Sequence, residues 1–342
     1  MNILYIVENA VDSGGNRVIA IKIRNDIRDG HIVEVAYILR KLSRFKDLAG
    51  LLKDIITCNI KYRHASKVRL IANTVNDSPY DKIISTGRRC LEFLDDLGSD
   101  KHCHLIQHIE VWNTLQSKSF FELSRNNGYL DSIETLDIIN KNKEPDELSY
   151  ITRLGKVGSF ETVSCYLEKI VNKINSASNV VVCEPPEISF PRIKVGKISN
   201  NRDIDVLMFF RNLKFKGDDI IFSLAKEINT MGYKVHLICG KNSENKLKEI
   251  GGYSNIFTHF RTSDKDVAEL YARSKIVINS SISEGFGAIP REAIDYGCYC
   301  ISSNTGWVQC SELKGGVRLK IIYRHRVEEY LKTFRDLVKH IK

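Results

Sequence analysis

The sequence contains few of the features that mark disulfide-rich, zinc-stabilised or membrane-spanning proteins. Its nine cysteines are odd in number and include no CxxC pair, which argues against a disulfide framework and a structural zinc site. No apolar run approaches the roughly 18 residues that span a bilayer. The apolar start at residues 1–7 lacks the basic leader of a signal peptide and predicts a first strand. These absences favour a reducing, cytoplasmic setting.

Proline is also scarce, and its distribution predicts the domain organisation. Three of the six prolines lie between Cys183 and Pro191, where they interrupt regular structure. We place a linker there, at residues 185–203, between a first domain at 1–184 and a second at 204–322. A chain of 342 residues is of natural size for two such domains.

Each predicted domain alternates strand-like and helix-like segments. The first alternation begins with the strand at residues 2–7, and the second begins with the apolar run at 205–210. Such alternation predicts a parallel sheet covered by helices on both faces. The fold class is therefore α/β with two Rossmann-like domains. Residues 323–342 carry apolar side chains at helical intervals and predict an amphipathic terminal helix.

Basic residues exceed acidic ones by 51 to 42, which gives a formal net charge of +9. Such an excess favours anionic partners, among them nucleotide diphosphates, acidic lipid surfaces and nucleic acid, without choosing between them. A basic but merely soluble surface is the plain alternative. The basic face of the terminal helix leaves peripheral contact with the cytoplasmic membrane face open as well.

The most informative stretch runs from Glu284 to Glu292, with the sequence Glu-Gly-Phe-Gly-Ala-Ile-Pro-Arg-Glu. It follows a β-branched run at residues 275–279, which predicts a buried parallel strand. It leads into a predicted short helix from about Pro290 to Tyr296, whose N-terminus could face an anion. The alternative interpretation is that Glu292 only caps the helix and Glu284 is a solvated loop residue.

The run from Ser283 to Ala293 resembles the Glu-x7-Glu signature of retaining glycosyltransferases of family 4, which have the GT-B fold. The resemblance implies two Rossmann-like domains facing across a cleft, with a C-terminal helix that often crosses back to the first domain. It implies that Glu284 contacts the donor sugar near the reacting carbon and that Glu292 holds the ribose hydroxyls. The loop that it assigns to the sugar or diphosphate comprises Gly285, Phe286, Gly287 and Ala288.

A second candidate element, Arg211 to Gly217, follows the strand at 205–210. Arg211 offers a planar fork and Lys216 a point charge, which together can neutralise a leaving diphosphate. An ordinary basic loop at a strand end is the alternative. Both residues resemble the family's Arg and Lys-Gly pair that bind the donor diphosphate.

In the first domain, Gly14 and Gly15 permit a sharp turn after the first strand. The absence of a full GxGxxG counts against a dinucleotide-binding dehydrogenase. The resemblance places this glycine pair beside the donor phosphates and the acceptor. Arg17, from the same segment, and Glu110 are candidate acceptor contacts.

His108 ends a predicted strand and resembles the family's N-domain histidine beside the transferred sugar. A packed strand-end histidine is its alternative. With His102 and His104 it forms a small cluster for which a metal is conceivable, but coincidence on a basic strand is the preferred explanation. We therefore expect no metal and no cofactor, with the nucleotide-diphosphate sugar as a substrate.

Together these features predict transfer of a sugar from a nucleotide-diphosphate donor to an acceptor hydroxyl, with retention. The acceptor is a glycan, a lipid-linked compound or another alcohol. Asn304-Thr-Gly306-Trp307 stands where the family commonly has a Gly-Gly turn, which leaves the donor open. One alternative is a silent GT-B subunit that binds nucleotide-sugar or glycan. Another is a nucleic-acid-modifying glycosyltransferase, which the lack of interleaved aromatic and basic residues disfavours.

Overall fold

In the computed structural model the chain forms two compact units, each built on one parallel sheet. The first unit comprises Met1–Val111 with Ile139–Glu187, and the second comprises Trp112–Ile138 with Ile188–Lys342. The structure describes residues 1–8, 14–38, 56, 62–126, 128, 132–142, 144–183, 202–240, 243–247, 252–310 and 316–341. Most of the predicted linker lies outside the described residues. The α/β class with two sheets and their covering helices is confirmed.

Parallel strands form the sheet of the first unit, in the order β3-β2-β1-β4-β5-β6-β7. The interior strand β1 is apolar almost throughout, and its residues Leu4, Tyr5 and Ile6 are fully buried. Both faces of the strand are covered, so that alternation of polar and apolar residues is absent. The strands are β1 (Asn2–Val7), β2 (Ile32–Ile38), β3 (Lys67–Ile71), β4 (Lys82–Thr86), β5 (His102–Ile106), β6 (Ser159–Thr162) and β7 (Asn179–Val182).

The sheet of the second unit is also parallel, with the order β10-β9-β8-β11-β12-β13. The chain reverses its direction of travel across the sheet between the neighbouring strands β8 and β11. Ligands of such sheets bind at this switch point, beyond the carboxyl ends of the strands. The strands are β8 (Ile204–Phe210), β9 (Val235–Cys239), β10 (Ile256–Phe260), β11 (Ser274–Asn279), β12 (Tyr299–Ser303) and β13 (Leu319–Ile322).

Helices connect these strands, together with a 3-10 helix at Arg88–Phe93. The described α-helices are α1 (Gly14–Arg28), α2 (Trp112–Leu115), α3 (Lys118–Asn126), α4 (Ser132–Asn142), α5 (Pro145–Leu154), α6 (Cys165–Ile174), α7 (Asp218–Thr230), α8 (Glu244–Leu247), α9 (Asp264–Arg273), α10 (Ala288–Asp295), α11 (Trp307–Cys310) and α12 (Val327–Val338).

The terminal helix α12 is shorter than the predicted stretch and packs within the second unit. The ring of Phe334 meets that of Tyr233 edge-on at 5.1 Å, next to α7. The hydroxyl of Tyr330 lies 3.5 Å from the carbonyl oxygen of Asn279 at the end of β11. Its apolar stripe therefore covers one face of the second sheet, as amphipathic periodicity predicts.

The segment at residues 112–138 belongs to the second unit by its contacts, whereas the sequence placed it with the first domain. Asp219, in the first turn of α7, accepts a hydrogen bond from Arg125 at 2.9 Å and lies 3.1 Å from the imidazole of His325. Arg326 donates to the backbone carbonyl of Arg125 at 2.9 Å. These contacts join parts that are far apart in the sequence, which explains why composition gave no sign of them.

Two further findings concern the cysteines and the membrane. Cys165 and Cys310 each take part in a disulfide bond, whereas six other described cysteines carry free thiols. The scattered spacing of the nine cysteines does not predict a bond at these two positions. Within the described part of the chain, no helix combines the length and the apolar character needed to cross a bilayer.

Candidate functional site

The basic loop after β8 is shaped by Asp218, the first residue of α7. Oδ2 of Asp218 accepts hydrogen bonds from the backbone N–H groups of Arg211 at 3.1 Å and Leu213 at 2.6 Å. The residue is 2% exposed, and burial raises its pKa to about 6 although the two N–H groups act in the opposite direction. Sequence reasoning missed Asp218, and its only local signal is an aspartate at a helix start.

Gly217 brings this loop against the end of β11. Its φ of 71° is left-handed, and a Cβ there would lie 2.0 Å from the carbonyl oxygen of Ser280. The hydroxyl of Ser280 in turn donates to the carbonyl of Gly217 at 2.9 Å. Only glycine permits this approach, which places Lys216 beside the segment that follows β11.

Lys216 and Glu284 form an ion pair, with Nζ and Oε2 2.8 Å apart. Their side chains are only 18% and 13% exposed, so solvent screens the pair less than it screens surface pairs. The ammonium also lies 5.0 Å from the ring centroid of Phe215. The alternative interpretation of Glu284 as a solvated loop residue is therefore wrong.

Arg211 begins the same basic loop directly after β8. Its guanidinium lies 5.9 Å from the ring centroid of Phe209, which is within the range of a cation–π contact. The structure thus places both predicted cations, Arg211 and Lys216, on one loop at the switch point. Of the two, Lys216 is the one that is paired with Glu284.

The glycine loop after Glu284 leads into α10, which begins at Ala288 rather than at the predicted Pro290 and ends at Asp295. Gly287 caps the helix with a φ of 82° and provides no side-chain hydrogen bond. The start of α10 therefore presents backbone N–H groups without a side-chain cap. Its first turn contains no acidic residue, which suits the approach of an anion.

Gly306 and Trp307 support the glycine loop from behind. The N–H of Trp307 donates to the carbonyl of Phe286 at 2.6 Å. At Gly306, where φ is 58°, a Cβ would lie 2.5 Å from the same carbonyl oxygen. The segment that appeared in the sequence as a departure from the family pattern thus holds the Gly-Phe-Gly loop in place.

Glu292 lies on the second turn of α10 and is 6% exposed. Its Oε2 accepts a hydrogen bond of 2.7 Å from the hydroxyl of Tyr271 on α9. Its place in the helix and its bond to Tyr271 depart from the capping role that was the alternative interpretation. The sequence analysis did not identify Tyr271, because an aromatic residue on the apolar face of a helix is usually a core residue.

In the first unit, Gly14 and Gly15 open α1 and Arg17 follows in its first turn. The side chain of Gln107, just after β5, donates to the carbonyl of Gly15 at 3.0 Å. A Cβ at Gly15 would lie 2.3 Å from Oε1 of that glutamine. The start of α1 is thus packed closely against the end of β5.

Glu110 and Glu8 lie at the same edge of the first sheet. Glu110 accepts a hydrogen bond of 2.9 Å from the N–H of Arg88, and Glu8 accepts one of 3.4 Å from the N–H of Arg89. Burial raises the pKa of Glu110 to about 7, and the charge of Glu8 acts in the same direction. Glu8 was missed because a single acid after a first strand carries no motif.

His108 is half-buried, and its Nδ1 donates to the carbonyl oxygen of Ile109 at 2.8 Å. His102 and His104 are buried instead and both bond to the hydroxyl of Ser85, at 2.8 and 2.7 Å. Burial lowers the pKa of both, so they form a neutral core network. In the part of the chain that the structure describes, no group of three or more His, Cys, Asp or Glu side chains could hold a metal ion.

Comparison with known proteins agrees with this architecture. Residues 190–339 match the family of glycosyl transferases group 1. A search of curated protein sequences gave no match.

Among solved structures, sucrose-phosphate synthase from Thermosynechococcus elongatus is 11% identical, with a TM-score of 0.63 over 99% of this chain and 90% of that one. HepE from Anabaena, in complex with UDP and glucose, is 13% identical, with a TM-score of 0.63 over 99% of this chain and 90% of that one. The catalytic domain of starch synthase IV from Arabidopsis thaliana, bound to ADP and acarbose, is 11% identical, with a TM-score of 0.61 over 100% of this chain and 92% of that one. At such identities the likeness concerns the fold. The chain has the GT-B fold, and its residues 190–339 match the glycosyl transferases group 1 family.

Proposed function

We propose that the protein is a glycosyltransferase that moves a sugar from a nucleoside-diphosphate donor to an acceptor hydroxyl, with retention at the anomeric carbon. The observation that carries the proposal is the ion pair between Lys216 and Glu284, 2.8 Å apart. It joins a cation suited to a diphosphate and a carboxylate suited to sugar hydroxyls at one sheet switch point.

In this proposal the second unit binds the donor. Arg211 and Lys216 neutralise the diphosphate, and the N–H groups at the start of α10 approach the sugar or diphosphate across Gly285 to Ala288. Glu284 orients the transferred sugar, and Glu292 holds the ribose hydroxyls. The similar structures with bound UDP and ADP support a nucleoside diphosphate as the ligand class.

Chemistry without a protein nucleophile suits these residues. The acceptor oxygen bonds to the anomeric carbon on the face from which the diphosphate leaves. The bond between that carbon and the diphosphate oxygen breaks, and the departing phosphate takes the acceptor proton. Positive charge from Arg211 and Lys216 stabilises the negative charge that develops on the leaving group, so the proposal requires no metal.

The acceptor contacts are proposed for the first unit. His108 would position the acceptor or contact the transferred sugar, and Glu110 and Arg17 would bind the acceptor. The protonation of Glu110 near neutral pH allows its carboxyl group either to donate or to accept a hydrogen bond. Acceptors of the proposed kind are glycans, lipid-linked compounds or other alcohols, and the proposed setting is cytoplasmic, with peripheral membrane contact.

A panel of nucleotide sugars, tested by thermal shift, identifies the donor because a ligand stabilises the state that it binds. NMR of the transfer product then gives its anomeric configuration. Retention agrees with the proposal, inversion contradicts its stereochemistry, and the absence of any stabilising donor contradicts the activity itself.

Two variants test the site in the same assay. We expect Glu284→Gln and Arg211→Ala to lower kcat/KM by about a hundredfold, the usual scale for a lost electrostatic contact in the transition state. Lys265→Ala is the control, because Lys265 is exposed and pairs with Glu269 at 4.0 Å, away from the basic loop. Folded Glu284 and Arg211 variants with full activity would show that the site is wrongly assigned.

A further inference from the structure

A buried hydrogen bond joins Glu292, the proposed ribose contact, to Tyr271, a residue without a role in the proposed function. The hydroxyl of Tyr271 donates to Oε2 of Glu292 at 2.7 Å. Tyr271 is fully buried and Glu292 is 6% exposed. A buried carboxylate is costly unless hydrogen bonds compensate for lost hydration, so this hydroxyl stabilises both the charge and the orientation of Glu292.

The donor of this bond is held rigidly. The ring of Tyr271 stacks on that of Tyr296 at 5.4 Å and also packs against that of Phe209 at 5.8 Å. Its backbone carbonyl accepts hydrogen bonds from Arg202 at 3.3 Å and from the thiol of Cys298 at 3.2 Å. Ring and backbone are therefore both fixed, and the hydroxyl has little freedom to move away from Glu292.

Tyr271 also remains a hydrogen-bond donor at every pH that concerns the folded protein. Burial raises the pKa of its phenol well above the ordinary value, and the negative charge of Glu292 raises it further. The phenol therefore keeps its proton. One oxygen of Glu292 is thus always directed toward Tyr271, which fixes the plane in which the other lies.

We propose that Tyr271 is a positioning residue for Glu292: by holding Oε2, it orients the carboxylate that grips the ribose hydroxyls of the donor nucleotide. This inference rests on the proposed function, in which Glu292 binds the ribose. Tyr271 itself does not contact the ligand and acts only through Glu292.

Tyr271→Phe tests the inference because it keeps the ring and its packing and removes only the hydroxyl. The probes are uridine, guanosine and adenosine diphosphates and their 2′,3′-dideoxy forms, with Kd measured by calorimetry for the base that binds best. We expect the wild-type protein to prefer the ribose form by about tenfold, the scale of a hydrogen bond to a charged group. In Tyr271→Phe the preference falls to about twofold or less, because the ribose form alone binds more weakly.

Tyr330→Phe is the matched control, since Tyr330 is equally buried and its hydroxyl lies 3.5 Å from a backbone carbonyl, that of Asn279. Its ribose preference should equal that of the wild type. Glu292→Gln should lose the preference as Tyr271→Phe does, and it keeps the inference open to contradiction if Tyr271→Phe does not fold. The double variant should lose no more than either single one.

The outcomes distinguish the proposed function from the positioning role of Tyr271. A wild-type protein that binds none of the diphosphates overturns the proposed function and this inference with it. If the wild type binds and prefers ribose, the positioning role alone is overturned by a Tyr271→Phe protein that keeps the preference or weakens both ligand forms equally. A Glu292→Gln protein with the wild-type preference overturns it as well.

Discussion

Nζ of Lys216 lies 2.8 Å from Oε2 of Glu284, although the two residues follow different strands, β8 and β11. The strands are neighbours in the sheet, and Gly217 lets the two loops approach closely. The pair therefore depends on strand order and on one left-handed glycine, as well as on the two charged residues.

Removal of Lys216 should weaken nucleoside diphosphate binding. We expect Lys216→Ala to raise the Kd by at least about tenfold, because a charge-assisted contact to phosphate is lost. Calorimetry with the tightest-binding diphosphate measures the change. Lys118→Ala removes the lysine of an exposed pair with Glu122 at 3.5 Å and should leave the Kd unchanged. Equal affinities for Lys216→Ala and the wild type would exclude a role for Lys216 in diphosphate binding.

Substitution of Gly217 by alanine should destabilise the protein far more than the same substitution at Gly232, which is also left-handed. Gly232→Ala meets no atom within 4 Å at a φ of 90°, so only backbone strain of about 1 kcal/mol opposes it. Gly217→Ala adds a contact of 2.0 Å with the carbonyl oxygen of Ser280 and should lose at least about 3 kcal/mol in total. Urea denaturation of both variants measures the difference, and equal losses would contradict the close approach.

Much of the second unit could be predicted from the sequence because its strands are continuous apolar runs. The predicted strand at 275–279 is β11 (Ser274–Asn279) in the structure. The glycines and acids of the following loop also carried a recognisable spacing. Local patterns of this kind need no knowledge of distant contacts.

Other parts could not be predicted, because their meaning depends on partners distant in the chain. The role of Tyr271 depends on its hydrogen bond to Glu292, and that of Asp218 on its bonds to the N–H groups of Arg211 and Leu213. Residues 112–138 join the second unit through contacts such as that between Arg125 and Asp219. The amino-acid composition does not change at residue 111, where the chain passes from the first unit to the second.

The raised pKa of Glu110 gives a pH dependence with a definite sign. The folded protein holds the proton up to about pH 7, whereas the ordinary value is 4.5. The folded state therefore binds the proton of Glu110 more tightly, and the contribution of Glu110 to stability falls as pH rises from about 4.5 to above 7. Glu110→Gln lacks this dependence. The wild type should lose about 2 kcal/mol relative to the variant across this window, less than the full shift would give because Glu110 keeps some solvent contact.

Denaturant unfolding at several pH values measures this difference directly. The variant keeps a carbonyl acceptor for the N–H of Arg88, which lies 2.9 Å from Oε2 in the wild type. If the free energies of unfolding of the wild type and Glu110→Gln change in parallel between pH 4.5 and 7, Glu110 titrates as an ordinary surface acid.

Asp219 should matter more to stability than an acid in an exposed ion pair. The side chain of His325 is fully buried and its Nε2 lies 3.1 Å from Asp219, so Asp219→Ala removes one hydrogen-bond partner of a buried polar group, at a cost of about 2 kcal/mol or more. Asp203→Ala is the control: the side chains of Asp203 and Arg273 are about half exposed, at 51% and 52%, and such pairs contribute under about 1 kcal/mol.

Denaturant unfolding measures the free energy that Asp219→Ala and Asp203→Ala each lose, and hydrogen exchange locates the effect in the chain. Asp219 also accepts from Arg125 at the end of α3, so the amides of α3 should exchange faster in Asp219→Ala than in Asp203→Ala. If both variants lose the same free energy and leave exchange in α3 unchanged, His325 and Asp219 do not hold this segment in the second unit. If only Asp219→Ala loosens α3, the contacts of Asp219 help to hold this segment in the second unit, which local sequence does not reveal.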